Sequence, residues 1–281
     1  MKTDRLNPFI YLITTLLWTW IFWFGAVLTG QSWLQFPTLL LTVLGFCGPF
    51  LVAVLMVKLG FWNGNVRGFL RNNFDLRLLS VRWYLYLLGF VLLLSGLPLL
   101  IGSLIFGQSI NHLTDFSAPT VFILVGIIAG AIEEPGWRGY AQKGLQSHMS
   151  PLNGSILIGV VWALWHVPLF LLEGTYQHSV GFGTSGFWFF NASILAGSIF
   201  YAWLYNAAGQ IGVIAVLYHG VGNAMREVLS FTDTDFTVQS IGFGVEAGIA
   251  LVVLVLSWKF MTKRGEIKSS VNKNPPLINR E

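Results

Sequence analysis

Pro119-Thr-Val-Phe-Ile-Leu-Val-Gly-Ile-Ile-Ala-Gly-Ala-Ile-Glu-Glu-Pro-Gly-Trp-Arg-Gly-Tyr140 sets two acids, Glu133 and Glu134, at the end of an apolar run from Pro119 to Ile132. A run of that character belongs in hydrocarbon, where an ionised carboxylate costs several kcal/mol unless it is paired or faces a polar cavity. The stretch raises two expectations together: the chain crosses a membrane here, and the acids serve a function.

Outward from this stretch the composition agrees. Of 281 residues 54% are hydrophobic and only 10% charged, against roughly 25% charged in an ordinary soluble domain. The fold expected is all-α, a polytopic membrane protein. Apolar runs of about 20 residues, the length needed to cross hydrocarbon, fall near 8–29, 36–59, 82–106, 118–134, 152–172, 186–206, 210–225 and 241–261, giving about eight transmembrane helices around an intramembrane cavity. The fourth is expected to continue as helix to about Gln146. The chain divides into N-terminal transmembrane helices over 1–117, a polar core over 118–225, an outer loop with the last helix over 226–262, and a disordered cytoplasmic tail over 263–281.

With the N-terminus in the cytoplasm, loop and tail cations from Lys2 and Arg5 to Lys273 and Arg280 fall on the inner side, and only Arg226 on the outer. By the positive-inside rule both termini are cytoplasmic. The pI of about 9.3 then reflects the inner leaflet and no nucleic-acid partner, because these cations border spans instead of forming a basic face. The first span follows Lys2 and Arg5 as a secretory signal would. It is too long and too rich in Trp and Phe for one, and reads as a retained signal-anchor. Cys47, the single cysteine, excludes an intramolecular disulfide and reads as a small buried apolar residue within its span.

Three polar constellations stand inside the core. Glu134 and Arg138 are four apart on a helix, acid before base, the favourable order for an ion pair, while Glu133 points about 100° away. Pro135 removes a donor and strands the Ala131 carbonyl, which predicts a kink or a polar opening. The bland alternative is a paired charge cluster closing a span. In the second constellation Trp162 and His166 share a face, with Pro168 freeing the Leu164 carbonyl as a local partner for the ring. Its alternative is a satisfied core histidine. In the third, His219 and Asn223 share a face beside Gly220 and Gly222, and the alternative is polar glue between helices. Gly126 and Gly130, like Gly244 and Gly248 around Glu246, have the spacing of close helix crossings. Taken together, a glutamate, two histidines and an amide can activate water and stabilise a tetrahedral oxyanion, or hold a metal in a His-His-Glu site.

The ordered pattern Glu-Glu-x-x-x-Arg, aromatic-x-x-x-His and His-x-x-x-Asn on successive spans, over about residues 119–225, resembles the CPBP family of intramembrane endopeptidases. That family includes type II CAAX-prenyl proteases and bacteriocin-immunity proteins. The resemblance implies eight helices around a conical cavity, with Glu133 as the base that activates water and His166 positioning it. It further implies that His219 and Asn223 line an oxyanion site, buttressed by Glu134 and Arg138. Trp162 stands where the family usually has Phe, which bears on cavity shape more than on chemistry.

No cofactor is expected, because Asn223 is a poor zinc ligand and a good oxyanion donor. Zinc remains the alternative, with Glu133, His166 and His219 as ligands. The partners expected are the lipid bilayer and a membrane-associated peptide or protein substrate, in the plasma membrane of a bacterium. His112, His148 and His178 fall in loops and read as solvated or interfacial, whereas Trp137 and Trp165 are expected to line the cavity. Two rivals stand beside the protease: a non-catalytic scaffold or bacteriocin-immunity binding protein of the same fold, and a transporter. The transporter lacks the internal repeat and paired broken helices of that class.

Overall fold

The computed structural model describes residues 6–62, 64–107, 120–228 and 236–264. His112 and the tail from residue 265 onward lie outside them. Thirteen α-helices and no strand occur among the described residues: α1 (Pro8–Leu28), α2 (Thr38–Phe46), α3 (Gly48–Lys58), α4 (Val66–Phe74), α5 (Val81–Phe106), α6 (Thr120–Glu134), α7 (Lys143–Leu145), α8 (Pro151–His166), α9 (Tyr176–Val180), α10 (Ser185–Ala207), α11 (Val213–Val228), α12 (Phe236–Leu256) and α13 (Trp258–Thr262). Several begin where the sequence writes a start signal. Asn7 caps Ile10 N–H ahead of Pro8, Ser150 caps Asn153 N–H ahead of Pro151, and Thr184 caps Phe187 N–H, each satisfying a donor that has no partner within its helix.

Among the described residues five helices are long and apolar enough to cross a membrane, and a sixth if α2 and α3, bent by 50°, form one span. The expected count of eight is not confirmed among the described residues, the difference being at the fourth and seventh runs. There α6 and α11 have only 15 and 16 residues. Apolar side chains face outward on the long helices, among them Ile21, Leu104 and Leu251, as lipid contact requires. In the loop after α4, Asp75 accepts from the Arg77 side chain and backbone and from Arg71, and chiefly the Arg77 bond holds its carboxyl down to about 2.

The α2–α3 bend has a local cause. Pro49 has no N–H to donate and cannot continue the ladder from α2. The carbonyls around the break are served by α1 instead: Trp18 Nε1 donates to Leu44 O at 2.8 Å, Thr19 Oγ1 to Gly45 O at 2.8 Å, and Trp23 Nε1 to Thr42 O at 2.9 Å. Cys47 therefore sits at a helix break, half-buried, and not within a continuous span.

The region after Glu134 stays helical to Leu145, with Gln146 as its cap, as expected, but changes gauge. Pro135–Gln142 is a π-helix whose eight residues are all buried. Such widened turns are rare and favour functional sites. Pro135 again supplies the cause, since it cannot make the α-type bond to Ala131.

Helix α6 crosses α11 at backbone distance. A Cβ on Gly130 would lie 2.4 Å from Val216 O and 2.7 Å from Gly220 N, and one on Gly126 would lie 2.9 Å from Asn223 Cβ. This crossing sets the two glutamates of α6 against the polar face of α11. We expect Gly130→Ala to lower thermal stability by about 1–3 kcal/mol, the usual cost of overpacking, and activity with it. A thermal-shift assay on purified protein in detergent, with an unchanged midpoint, would show that the crossing has slack. The other contacts close a ring: α8 packs on α10, α10 on α12, α12 on α5, α5 on α11, α6 on α3, α3 on α1, and α1 on α8.

Candidate active site within the helix bundle

Inside this ring lies a cavity of about 630 Å³, lined among others by Glu133, Trp162, His166, Tyr201, His219 and Asn223. All seven residues singled out in the sequence fall in or directly behind one wall. Glu133, Glu134, Arg138, His166 and His219 are buried, and Asn223 is half-buried.

The two glutamates part company as their 100° offset requires. Glu134 turns away from the cavity and has no exposure. It lies 3.2 Å from Arg138 Nη1 across the i,i+4 step and 2.8 Å from His219 Nδ1. Arg138 is fully buried as well and tightly enclosed. Its Nη2 donates to Ser198 Oγ at 3.2 Å, Ser198 donates to Ser155 O at 2.8 Å, and the guanidinium lies over the rings of Trp162 at 4.7 Å and Tyr201 at 4.4 Å. A charge buried so deeply needs both its counter-ion and its hydrogen bonds.

Glu133 faces the cavity. It is not free, as its position alone suggested, because the indole Nε1 of Trp162 donates to its Oε2 at 2.7 Å. Trp162, expected to shape the cavity, touches the whole site: its ring centroid lies 6.0 Å from that of His166 and 5.7 Å from that of His219.

His166 Nδ1 bonds to Trp162 O, one turn back, at 2.8 Å. The partner expected, the Leu164 carbonyl freed by Pro168, is taken by Trp20 Nε1 at 3.1 Å. A carbonyl or carboxylate only accepts, so both imidazoles carry a proton on Nδ1. Their Nε2 atoms are thereby left for a ligand, and the rings are fixed in orientation as second-sphere bonds fix them elsewhere. Among the described residues no three of His, Cys, Asp and Glu are gathered as a metal-holding group. Glu133, His166 and His219 thus do not present a zinc set in this geometry.

Other expectations meet mixed outcomes. Trp165 lines the cavity, but Trp137 does not; it packs behind the wall against Tyr11 and Trp165. Asn191 bonds its own helix at Phe187 O. His148 and His178 are exposed. Cys47 joins the cavity wall. Sequence reasoning missed Ser198 and Tyr201, although with Gly197 they form a small-and-polar face on α10 that an i, i+3, i+4 reading exposes. It also left Arg226 and Glu246 without a role. Both line the cavity, 3.6 Å apart.

A carboxylate, two oriented imidazoles and an amide around a cavity between membrane-crossing helices have the make-up of an intramembrane hydrolase. A family model described as type II CAAX prenyl endopeptidase, Rce1-like, matches residues 115–225. Over 268 residues the chain is 32% identical to CAAX prenyl protease 2 of Methanococcus maripaludis, covering 89% of this chain and 96% of that protein. The chain belongs to the CAAX prenyl endopeptidase family, and is a membrane-embedded protease.

Proposed function

We propose that the chain cleaves a peptide bond near the C-terminus of a membrane-associated substrate whose cysteine carries a prenyl chain. The observation that carries this reading is the split between the acids. Glu134 is ion-paired behind the wall, while Glu133 faces the cavity with the Trp162 indole on its carboxylate. The apolar side of the same cavity, including Val91, Leu94, Val125, Ile128 and Ala129, suits a lipid tail, and the relative named above is called a prenyl protease.

In the mechanism we infer, Glu133 takes a proton from water as the water oxygen attacks the scissile carbonyl. His166 Nε2 accepts a hydrogen bond from the water's second O–H, which stays on the attacking oxygen, and so fixes the direction of attack. His219, with Glu134 against Nδ1 to balance a second proton, donates through Nε2 to the developing oxyanion, and Asn223 donates beside it. Glu133 then returns its proton to the leaving amine. Preorganised donors of this kind usually supply the largest share of such catalysis. We read the chemistry as metal-free, and both termini as cytoplasmic in a bacterial plasma membrane.

Purified protein reconstituted in liposomes should cleave a prenylated peptide, with a rate unaffected by a chelator. Activity lost to chelation and restored by zinc would overturn the metal-free step. Binding of the peptide with no cleavage by the folded protein would favour a non-catalytic scaffold.

A further inference from the structure

Arg226 and Glu246 stand in the same cavity as the catalytic groups, and the mechanism above gives them nothing to do. Arg226 lies seven residues after His219 on α11. Seven steps of 100° return to nearly the same face and advance about 10 Å, so His219, Asn223 and Arg226 form one stripe facing the cavity, which all three line. The Arg226 side chain keeps 37% of its surface accessible, while its counter-ion Glu246 keeps 14%. Glu246 approaches from α12 with its other oxygen lodged against α10, where a Cβ on Gly197 would lie 2.8 Å from Oε1. Glu227, Tyr176, Gln239 and Tyr218 also line this end. A cation two helical turns beyond His219 and just under one turn beyond Asn223, inside a largely apolar cavity, is placed to meet an anion on the substrate.

We propose that Arg226 binds the free C-terminal carboxylate of the substrate, with Glu246 as the placeholder anion that the carboxylate displaces. This rests on the protease reading above. The lengths agree. An extended peptide advances about 3.3 Å per residue, so a carboxylate on Arg226 brings a carbonyl about three residues upstream level with His219 and Asn223. In a C-terminal Cys-a-a-X segment the lipid-bearing cysteine is the fourth residue from the end. The same placement therefore sets its prenyl chain against the apolar wall of Leu94 and Val125. Arg226 thus sets where the chain ends, and by that distance which bond is cut.

The test compares a prenylated peptide ending in cysteine and three apolar residues, made as the free acid and as the C-terminal amide. Liposome-reconstituted wild type should cleave the acid with kcat/KM at least tenfold above the amide, the gain expected of a charge-assisted bond, with the difference mostly in KM. Arg226→Gln should bring the acid-to-amide ratio to near one, and Arg226→Lys should restore part of it. Glu246→Gln should lower KM for the acid, whereas a purely structural ion pair would make both replacements harmful alike. Equal cleavage of acid and amide by wild type overturns the proposal and leaves the protease reading standing. Cleavage of neither peptide overturns both.

Discussion

Glu133→Gln should lower kcat by about 10² to 10⁴, the contribution of a positioned general base, without loss of folding or membrane insertion. The replacement keeps the volume of the side chain, and the amide oxygen still accepts from the Trp162 indole that holds Oε2 at 2.7 Å. What it removes is the capacity to take a proton from water. The measurement is single-turnover cleavage of a prenylated peptide beside a thermal midpoint for the same preparation. Full activity in the variant would dismiss Glu133 as the base. Loss of activity together with a collapsed midpoint would move it from catalysis to structure.

A second large effect is expected at Arg138, and it is one of stability. Arg138→Leu leaves the Glu134 carboxylate, which has no solvent exposure, with the imidazole of His219 on its other side. Removing one side of a buried pair typically costs about 3–5 kcal/mol, because the other charge is stranded. The cation between the Trp162 and Tyr201 rings is lost with it. The double replacement Glu134→Gln with Arg138→Leu should recover part of this loss, since no charge is then stranded, and the shortfall from additivity measures their coupling. A single Arg138→Leu protein as stable as wild type would mean that the Glu134–Arg138 pair adds nothing net to folding.

The Glu134–Arg138 pair was legible because both partners lie on one helical turn, where spacing alone decides contact. The bond from His219 to Glu134 was not, because it spans 85 positions and depends on how α6 and α11 cross. The glycines that permit this crossing were visible as spacing, but spacing does not name the partner helix. Trp162 shows a different limit. An aromatic at that position reads as bulk, and only the fold reveals that its single N–H is aimed at Glu133. The count of eight spans goes unconfirmed for a physical reason as well. An apolar window reports that a segment tolerates lipid, not that it is one long straight helix: Pro49 bends the second run although both halves are apolar, and the unconfirmed spans are the short α6 and α11. Arg226 was read only as the lone outer cation, since nothing in its neighbours along the chain says that Glu246 comes to meet it.

The three donors that α1 extends to the broken α2–α3 segment bear on biogenesis. The Leu44 and Gly45 carbonyls at the bend would face lipid unserved if this segment entered the bilayer by itself, and hydrocarbon offers no water to replace the missing bonds. Because α1 precedes α2 and α3 in the chain, the order of synthesis matches the order of need: the donors are made before the cavity wall around Cys47 that they serve.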